Sequence, residues 1–358
     1  MNILRIREKL PEYGLDAIIL FSPVCVRYAM GFEIQDGCVA ISADDAVLIT
    51  DSRYIEVASK LAKNARCLCA AGSGSNGKSQ NQLLKEFFEK NKCEKIGCEE
   101  GNLPHGSWVN KEELLGTKLV FAQKLIMELR QIKTEDEVKA IIGAQRIAEK
   151  ALEEVLGILK PGMTEAEVAA EITYRMMRNG GEGNSFAPIV VSGPNSSMPH
   201  GIPGSRKLQK GDFVTMDFGC LLNGYCSDMT RTVAIGEATD EMKKVYDTVL
   251  KAQKAGILKA KAGVTGADIH NAAAKVIADA GYGAYFGHGF GHSLGLEIHE
   301  APAASPSNPN PVPEGVIVTA EPGIYLPGKF GVRIEDMILI EANGNRNLTE
   351  APKDLLIL

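Results

Sequence analysis

"GDFVTMDFGCLLNGYCSDMTRTVAIG", residues 211–236, sets two β-rich apolar runs on either side of Asn223-Gly224. Asn-Gly between such runs is the strongest short signal for a β-hairpin, because both turn positions need positive φ. A two-residue turn places Asp217 opposite Thr230 and Asp228 opposite Gly219. The two aspartates then share one face, a diagonal step apart, at about 7–8 Å between backbones. Gly219 is expected to leave the space opposite Asp228 empty. Phe213, Val214, Met216, Phe218 and Val233 surround the pair. Carboxylates that converge among apolar residues repel each other unless cations join them. Two aspartates alone also fit an acidic edge facing solvent.

The C-terminal part of the chain supplies more groups. "GHGFGHSLGLEIHE", residues 287–300, holds three of the six histidines: His288, His292 and His299. "VIVTAEPGIY", residues 316–325, reads as a strand ending at Glu321, stopped by Pro322-Gly323. "GVRIEDMILIE", residues 331–341, reads as one strand. Val332, Ile334, Ile338 and Ile340 fall on one face, Arg333 and Glu335 on the other. Each acid alone is more readily a turn or strand-end residue. Together, Asp217, Asp228, His292, Glu321 and Glu335 make an oxygen-rich set with one imidazole. That chemistry suits two divalent ions such as manganese, cobalt, iron or zinc. It does not suit a closed, cysteine-rich structural zinc site. The H-E-x-x-H zinc motif is excluded, because His299-Glu300 is followed by Ala-Pro-Ala-Ala.

The bulk composition narrows the function classes. The chain has 358 residues, 39 Lys and Arg against 45 Asp and Glu, and a formal charge of −6. A nucleic-acid binder would show a basic stripe, so none is expected as a partner. No apolar run approaches membrane-spanning length. The N-terminal "MNILRIREKLPEYG" mixes charges with apolar residues and does not read as a signal peptide. The eight cysteines form no Cys-x-x-Cys pair and sit mostly in apolar runs. They read as small buried hydrophobes of a reducing cytoplasm.

Residues 16–57 alternate short apolar runs with turns and read as strands, followed by a helix near 52–63. Residues 79–91 read as an amphipathic helix, and "EKIGCEE" as a further strand. This small α/β domain is expected to end near 122. Beyond it, Thr134 with Glu137 and Thr164 with Glu167 fit the capping box, in which each residue's side chain satisfies the other's backbone N–H. "KPGMTEAEV" at 160 resembles "KAGVTGADI" at 261, and each precedes an alanine-rich helix ending in glycine. The match suggests that two halves of the C-terminal domain are duplicates, with a site where they meet. "GSGSNGKS", residues 72–79, matches the phosphate-loop pattern through Gly72, Gly77, Lys78 and Ser79. At least three strand-like runs precede it, and no apolar run ending in Asp follows to hold magnesium. A surface loop is the expectation, and nucleotide binding a remote alternative.

In their order along the chain, "VVSGPNSSMPHG", "MDFG", "YCSDMTRT", "GHSLGLEIHE", "AEPGIY" and "GVRIED" are similar to the catalytic motifs of the pita-bread metallopeptidases. The branch they resemble is that of Xaa-Pro aminopeptidases and prolidases. "SPVCVRYAMGF" and "VLITDSRY" are similar to that family's N-terminal domain. The resemblance implies an α/β (α+β) protein. A creatinase-like domain would span 1–122, and a pseudo-symmetric pita-bread catalytic domain 123–358. It implies two divalent ions, manganese first among the candidates. Asp217 would chelate one ion, Asp228 and Glu335 would bridge both, and His292 and Glu321 would complete the second site. His200 and His299 would be catalytic and bind substrate without binding metal. A hydroxide shared by the ions would attack the carbonyl before proline, and Glu321 would carry the proton to the leaving nitrogen. The resemblance also implies a homodimer acting on proline-containing peptides.

Residues outside this scheme have plainer expectations. His288 is expected to pack beside the site, and His105 and His270 to be surface or helix residues. Several prolidases have an arginine in a H-E-x-P-R stretch that looks to hold the dipeptide's carboxylate. Ala303 stands there in this chain, which turns the expectation toward an Xaa-Pro aminopeptidase, with the Xaa-Pro dipeptidase as alternative. Arg333 is the cation expected to supply charge to substrate nearby. A methionine aminopeptidase would lack the N-terminal domain. A creatinase-like amidinohydrolase, or a pita-bread module without activity, would lack the five ligands.

Overall fold

The computed structural model describes residues 2–72 and 77–358. The chain divides into two units, Met1–Arg130 and Gln131–Leu358. The division falls one helix later than the expected 122/123. The helix Gln123–Gln131 buries Leu125 and Ile126, and Arg5 Nη2 donates to the Leu129 carbonyl at 3.0 Å. Those contacts tie it to the first unit.

The first unit is built on a six-stranded sheet. Its order is Arg66–Cys69, Ala46–Thr50, Gly37–Ser42, Ala17–Leu20, Ile96–Cys98 and Leu119–Phe121. The last three strands run parallel to one another. The helix Gln80–Lys90 buries Leu83, Leu84, Phe87 and Phe88, the apolar face expected of residues 79–91. The helix expected near 52–63 is Ile55–Leu61. Of the phosphate-loop match, residues 73–76 lie outside the described residues. Lys78 pairs with Glu86 at 2.6 Å, and the Ser79 side chain accepts from the Gln82 N–H as a helix cap.

The second unit repeats itself. Helices Glu135–Leu156 and Asp240–Lys259 are each followed by a 14-residue helix, Glu165–Arg178 and Gly266–Asp279. Thr164 and Thr265 cap these shorter helices and form isolated bridges to Lys207 and Pro311. Gly162 donates to Leu208 O at 2.9 Å, as Gly263 does to Val312 O at 3.0 Å. Gly180 and Gly281 end the shorter helices at φ 100 and φ 87, which L side chains resist. The "KPGMTEAEV" and "KAGVTGADI" stretches are therefore equivalent turns of two structural halves.

Each half contributes a sheet. The first is Met229–Ala234, Phe213–Phe218 and Ile189–Ser192. The second is Glu300–Ala304, Gly291–Ser293, Ile317–Ala320, Asp336–Glu341 and Gly344–Asn347. The run 331–341, read as a single strand, is two. Phe330–Arg333 pairs with Gly323–Leu326, and Asp336–Glu341 pairs with Ile317–Ala320. The chain changes sheets at Ile334-Glu335, where the Glu335 N–H donates to Thr230 O at 3.1 Å and Thr232 Oγ1 donates to Arg333 O at 3.0 Å. The two halves meet along this line. Among the described residues no helix is long and apolar enough to cross a membrane.

Candidate functional site

The hairpin has the register that its turn dictates. Asp217 pairs with Thr230, Met229 with Phe218, and Leu222 with Tyr225. Asn223 and Gly224 adopt φ 52 and φ 74, the two positive values that a tight turn matched to strand twist requires. The ladder is interrupted at Gly219 and Asp228, and the space there is not empty. A Cβ on Gly219 would lie 1.8 Å from the Ser227 carbonyl oxygen. Glycine thus admits the facing backbone, and that close approach carries Asp228 out of regular pairing.

Five expected ligands line one cavity of about 360 Å³, with His200, His288, His299 and Arg333. Asp217, Asp228 and Glu335 are 8%, 4% and 1% exposed. Asp228, His292 and Glu335 each offer a ligand atom within 4.8 Å of the others. His292 Nε2 lies 3.5 Å from Asp228 Oδ2 and 3.5 Å from Glu321 Oε1. Its Nδ1 faces the Ser293 carbonyl at 3.1 Å. A carbonyl only accepts, so Nδ1 carries the proton. Burial lowers the His292 pKa and favours the neutral ring. The Nε2 lone pair therefore sits among carboxylate oxygens, acceptor beside acceptor.

The remaining polar atoms repeat that arrangement. Asp217 Oδ1, Asp228 Oδ1 and Glu335 Oε1 are buried with no hydrogen-bond donor. The partner oxygens of two are held: Thr230 Oγ1 donates to Glu335 Oε2 at 2.6 Å, and Arg333 Nη2 donates to Asp217 Oδ2. Thr319 Oγ1 donates to Glu321 Oε1 at 3.0 Å and accepts from the His292 N–H at 3.0 Å. Burial, and then repulsion from neighbouring carboxylates, drives the Asp228 and Glu335 pKa values well above the ordinary range. Burial also lifts Glu321 to about 7, against the pull of Arg333. Buried acceptors that lack donors are rare in folded chains, and a cation satisfies these. The donor set fits divalent ions.

The other cavity groups differ in exposure. His200 and His299 are exposed, and the His299 ring lies 4.3 Å from the His292 ring between centroids. Arg333 is 3% exposed. Four of its five N–H groups go to Asp217, Thr230, Tyr325 and the Pro199 carbonyl. His288 Nε2 lies 3.0 Å from the Tyr325 hydroxyl, and burial pushes its pKa down to about 4. His288 therefore lines the cavity half-buried, one hydroxyl from Arg333. His270 is buried in the helix Gly266–Asp279 and stacks on Phe286 at 5.2 Å, whereas His105 is exposed at a helix start. Thr230, Thr319 and Tyr325 were not anticipated as site residues. The register puts Thr230 opposite Asp217, and Thr319 stands two residues before Glu321 on one strand face, so both were within reach of the pattern.

Residues 139–342 match the model for metallopeptidase family M24, and residues 3–132 match that for the creatinase/prolidase N-terminal domain. The chain belongs to metallopeptidase family M24. Its members are hydrolases that use divalent metal ions, and its catalytic half has the pita-bread fold. Xaa-Pro dipeptidase from Bacillus anthracis has a similar structure, with TM-score 0.94 and 39% identity, over 100% of this chain and 99% of that one. X-Pro aminopeptidase from Thermotoga maritima superimposes with TM-score 0.92 at 35% identity, over 98% of this chain and 100% of that one. Xaa-Pro dipeptidase of Pyrococcus furiosus is 35% identical, with 96% of each chain covered.

Proposed function

We propose that this M24 peptidase removes the N-terminal residue from peptides with proline in second position, holding two divalent ions, with manganese as the working metal. The observation that carries the metal site is the convergence of three donorless carboxylate oxygens and the His292 lone pair in one cavity. Asp217 would hold one ion, Asp228 and Glu335 both, and His292 and Glu321 the other. The chemistry supplied by two bound ions is Lewis acidity toward a carbonyl oxygen and acidification of water.

The chain's own groups do the rest. His200 and His299 stand exposed at the cavity, where an N–H can meet the carbonyl oxygen as it gains charge. Glu321, at the cavity wall, would take a proton and return it to the leaving proline nitrogen. Phe186, Ile189 and Ile298 offer an apolar wall to a proline ring. Arg333 holds Asp217 rather than substrate, because its guanidinium is already engaged.

That engagement bears on substrate length. Arg333 is the one Lys or Arg among the residues lining the cavity, and Ala303 stands at the wall. A dipeptide's carboxylate finds no free guanidinium fork there, and a longer chain needs none. This favours tripeptides and longer substrates. The names of the relatives support a second reading, an Xaa-Pro dipeptidase. The test compares kcat/KM for Ala-Pro and Ala-Pro-Ala under equal manganese, with Ala-Ala-Ala as control. The tripeptide is expected to be the better substrate. A preference for Ala-Pro moves the chain to the dipeptidase reading, and equal rates on Ala-Ala-Ala remove proline specificity.

A further inference from the structure

A buried ion pair lies behind the exposed His299. Lys133 Nζ stands 3.0 Å from Glu300 Oε2, with the two side chains 2% and 6% exposed. The other oxygen, Oε1, accepts from the Leu296 N–H at 3.1 Å and the Glu297 N–H at 3.3 Å. The segment from Gly295 to His299 thus curls around one carboxylate. A Cβ on Gly295 would lie 2.8 Å from both of its oxygens. Gly295 is held from the other side as well, since its carbonyl accepts from the Cys226 N–H at 2.7 Å. The lysine is anchored in turn. Its N–H donates to Gly315 O at 3.0 Å, and the next residue, Thr134, caps the helix Glu135–Leu156.

Neither Lys133 nor Glu300 lines the cavity. A buried ion pair is a weak source of stability, because desolvation of two charges offsets their attraction. Its geometry, however, is confined to a few ångströms. Glu300 follows His299 directly, and that ring lies over His292. We propose that the Lys133–Glu300 pair positions His299, fixing where its imidazole meets substrate. The inference rests on the reading of His299 as a substrate-facing group.

The test uses the full manganese-loaded chain with Lys133→Met, Glu300→Leu, the two combined, Glu300→Gln, and His299→Ala as reference. Lys133→Met and Glu300→Leu are expected to lower kcat on Ala-Pro-Ala by about 10- to 100-fold, with KM within about twofold and metal content unchanged. Hydrogen exchange in residues 294–299 of the metal-free chain should quicken. The combined variant should recover Tm but not kcat, because Leu296 and Glu297 still lack their acceptor. Glu300→Gln keeps an acceptor oxygen and should retain more kcat than Glu300→Leu. A combined variant that recovers kcat together with Tm overturns the proposal, since the pair then only stabilises. Unchanged kcat in the pair variants, beside a loss in His299→Ala, overturns it also. Unchanged kcat in His299→Ala instead overturns the reading on which it rests.

Discussion

Replacing His200 or His299 by alanine separates holding an ion from handling a substrate. Both variants should bind metal as the parent chain does and lose about 10²–10³ in kcat, the usual effect of removing one donor to a developing oxyanion. Metal analysis of each purified variant, set beside its kcat, decides this. A histidine whose loss strips the metal is a ligand instead. The acids make a prediction of a different kind. In the metal-free chain Glu321 titrates at about 7 rather than 4.5, and Asp228 and Glu335 are raised further by burial. Where the unfolded chain has released these protons and the folded chain still binds them, stability falls as pH rises. Burial acts oppositely on His288 and His292, lowering them from 6.5, so their contribution grows with pH and is complete by about 7. From pH 7 to 8 the acids prevail. The metal-free Tm should fall over that range, and Asp228→Asn should flatten the fall. A metal-free Tm that rises there contradicts the burial of these carboxylates.

At the scale of elements, the hairpin was legible because Asn223-Gly224 admits one register, and that register aligns Asp217 with Thr230. The role of Gly219 was not legible. An alternating pattern says which face a residue occupies, not how closely the opposite backbone approaches. Gly219→Ala is expected to destabilise the metal-free chain in urea by about 1–3 kcal/mol, as overpacking of a filled site does, and to lower metal content by displacing Asp228. Unchanged unfolding and full metal content would show that the Ser227 backbone yields without cost. The break at Ile334-Glu335 was hidden for a related reason, since side-chain alternation continues across the change of sheet. The helix Pro23–Met30 interrupts the stretch 16–57, whose apolar runs read as strands. Ser22 before Pro23 is a cap-and-start signal, and Ser22 does accept from the Cys25 N–H at 3.1 Å.

At the scale of the whole molecule, the duplication was legible from two nine-residue stretches, since each carries the same glycine, threonine and helix start. What the pattern could not carry was the contact between halves, where Glu335 meets Thr230 across 105 residues of chain. That contact brings the acids of one half to those of the other, and the proposed peptidase depends on it: the assembled cavity would work only when two ions fill it. The most direct measurement titrates the metal-stripped chain with Mn²⁺ and follows both bound metal and alanine released from Ala-Pro-Ala. No turnover is expected in the stripped chain, and activity should reach its plateau as the second equivalent binds. Full activity in the stripped chain, or a plateau already reached with one equivalent bound, would overturn the two-ion reading.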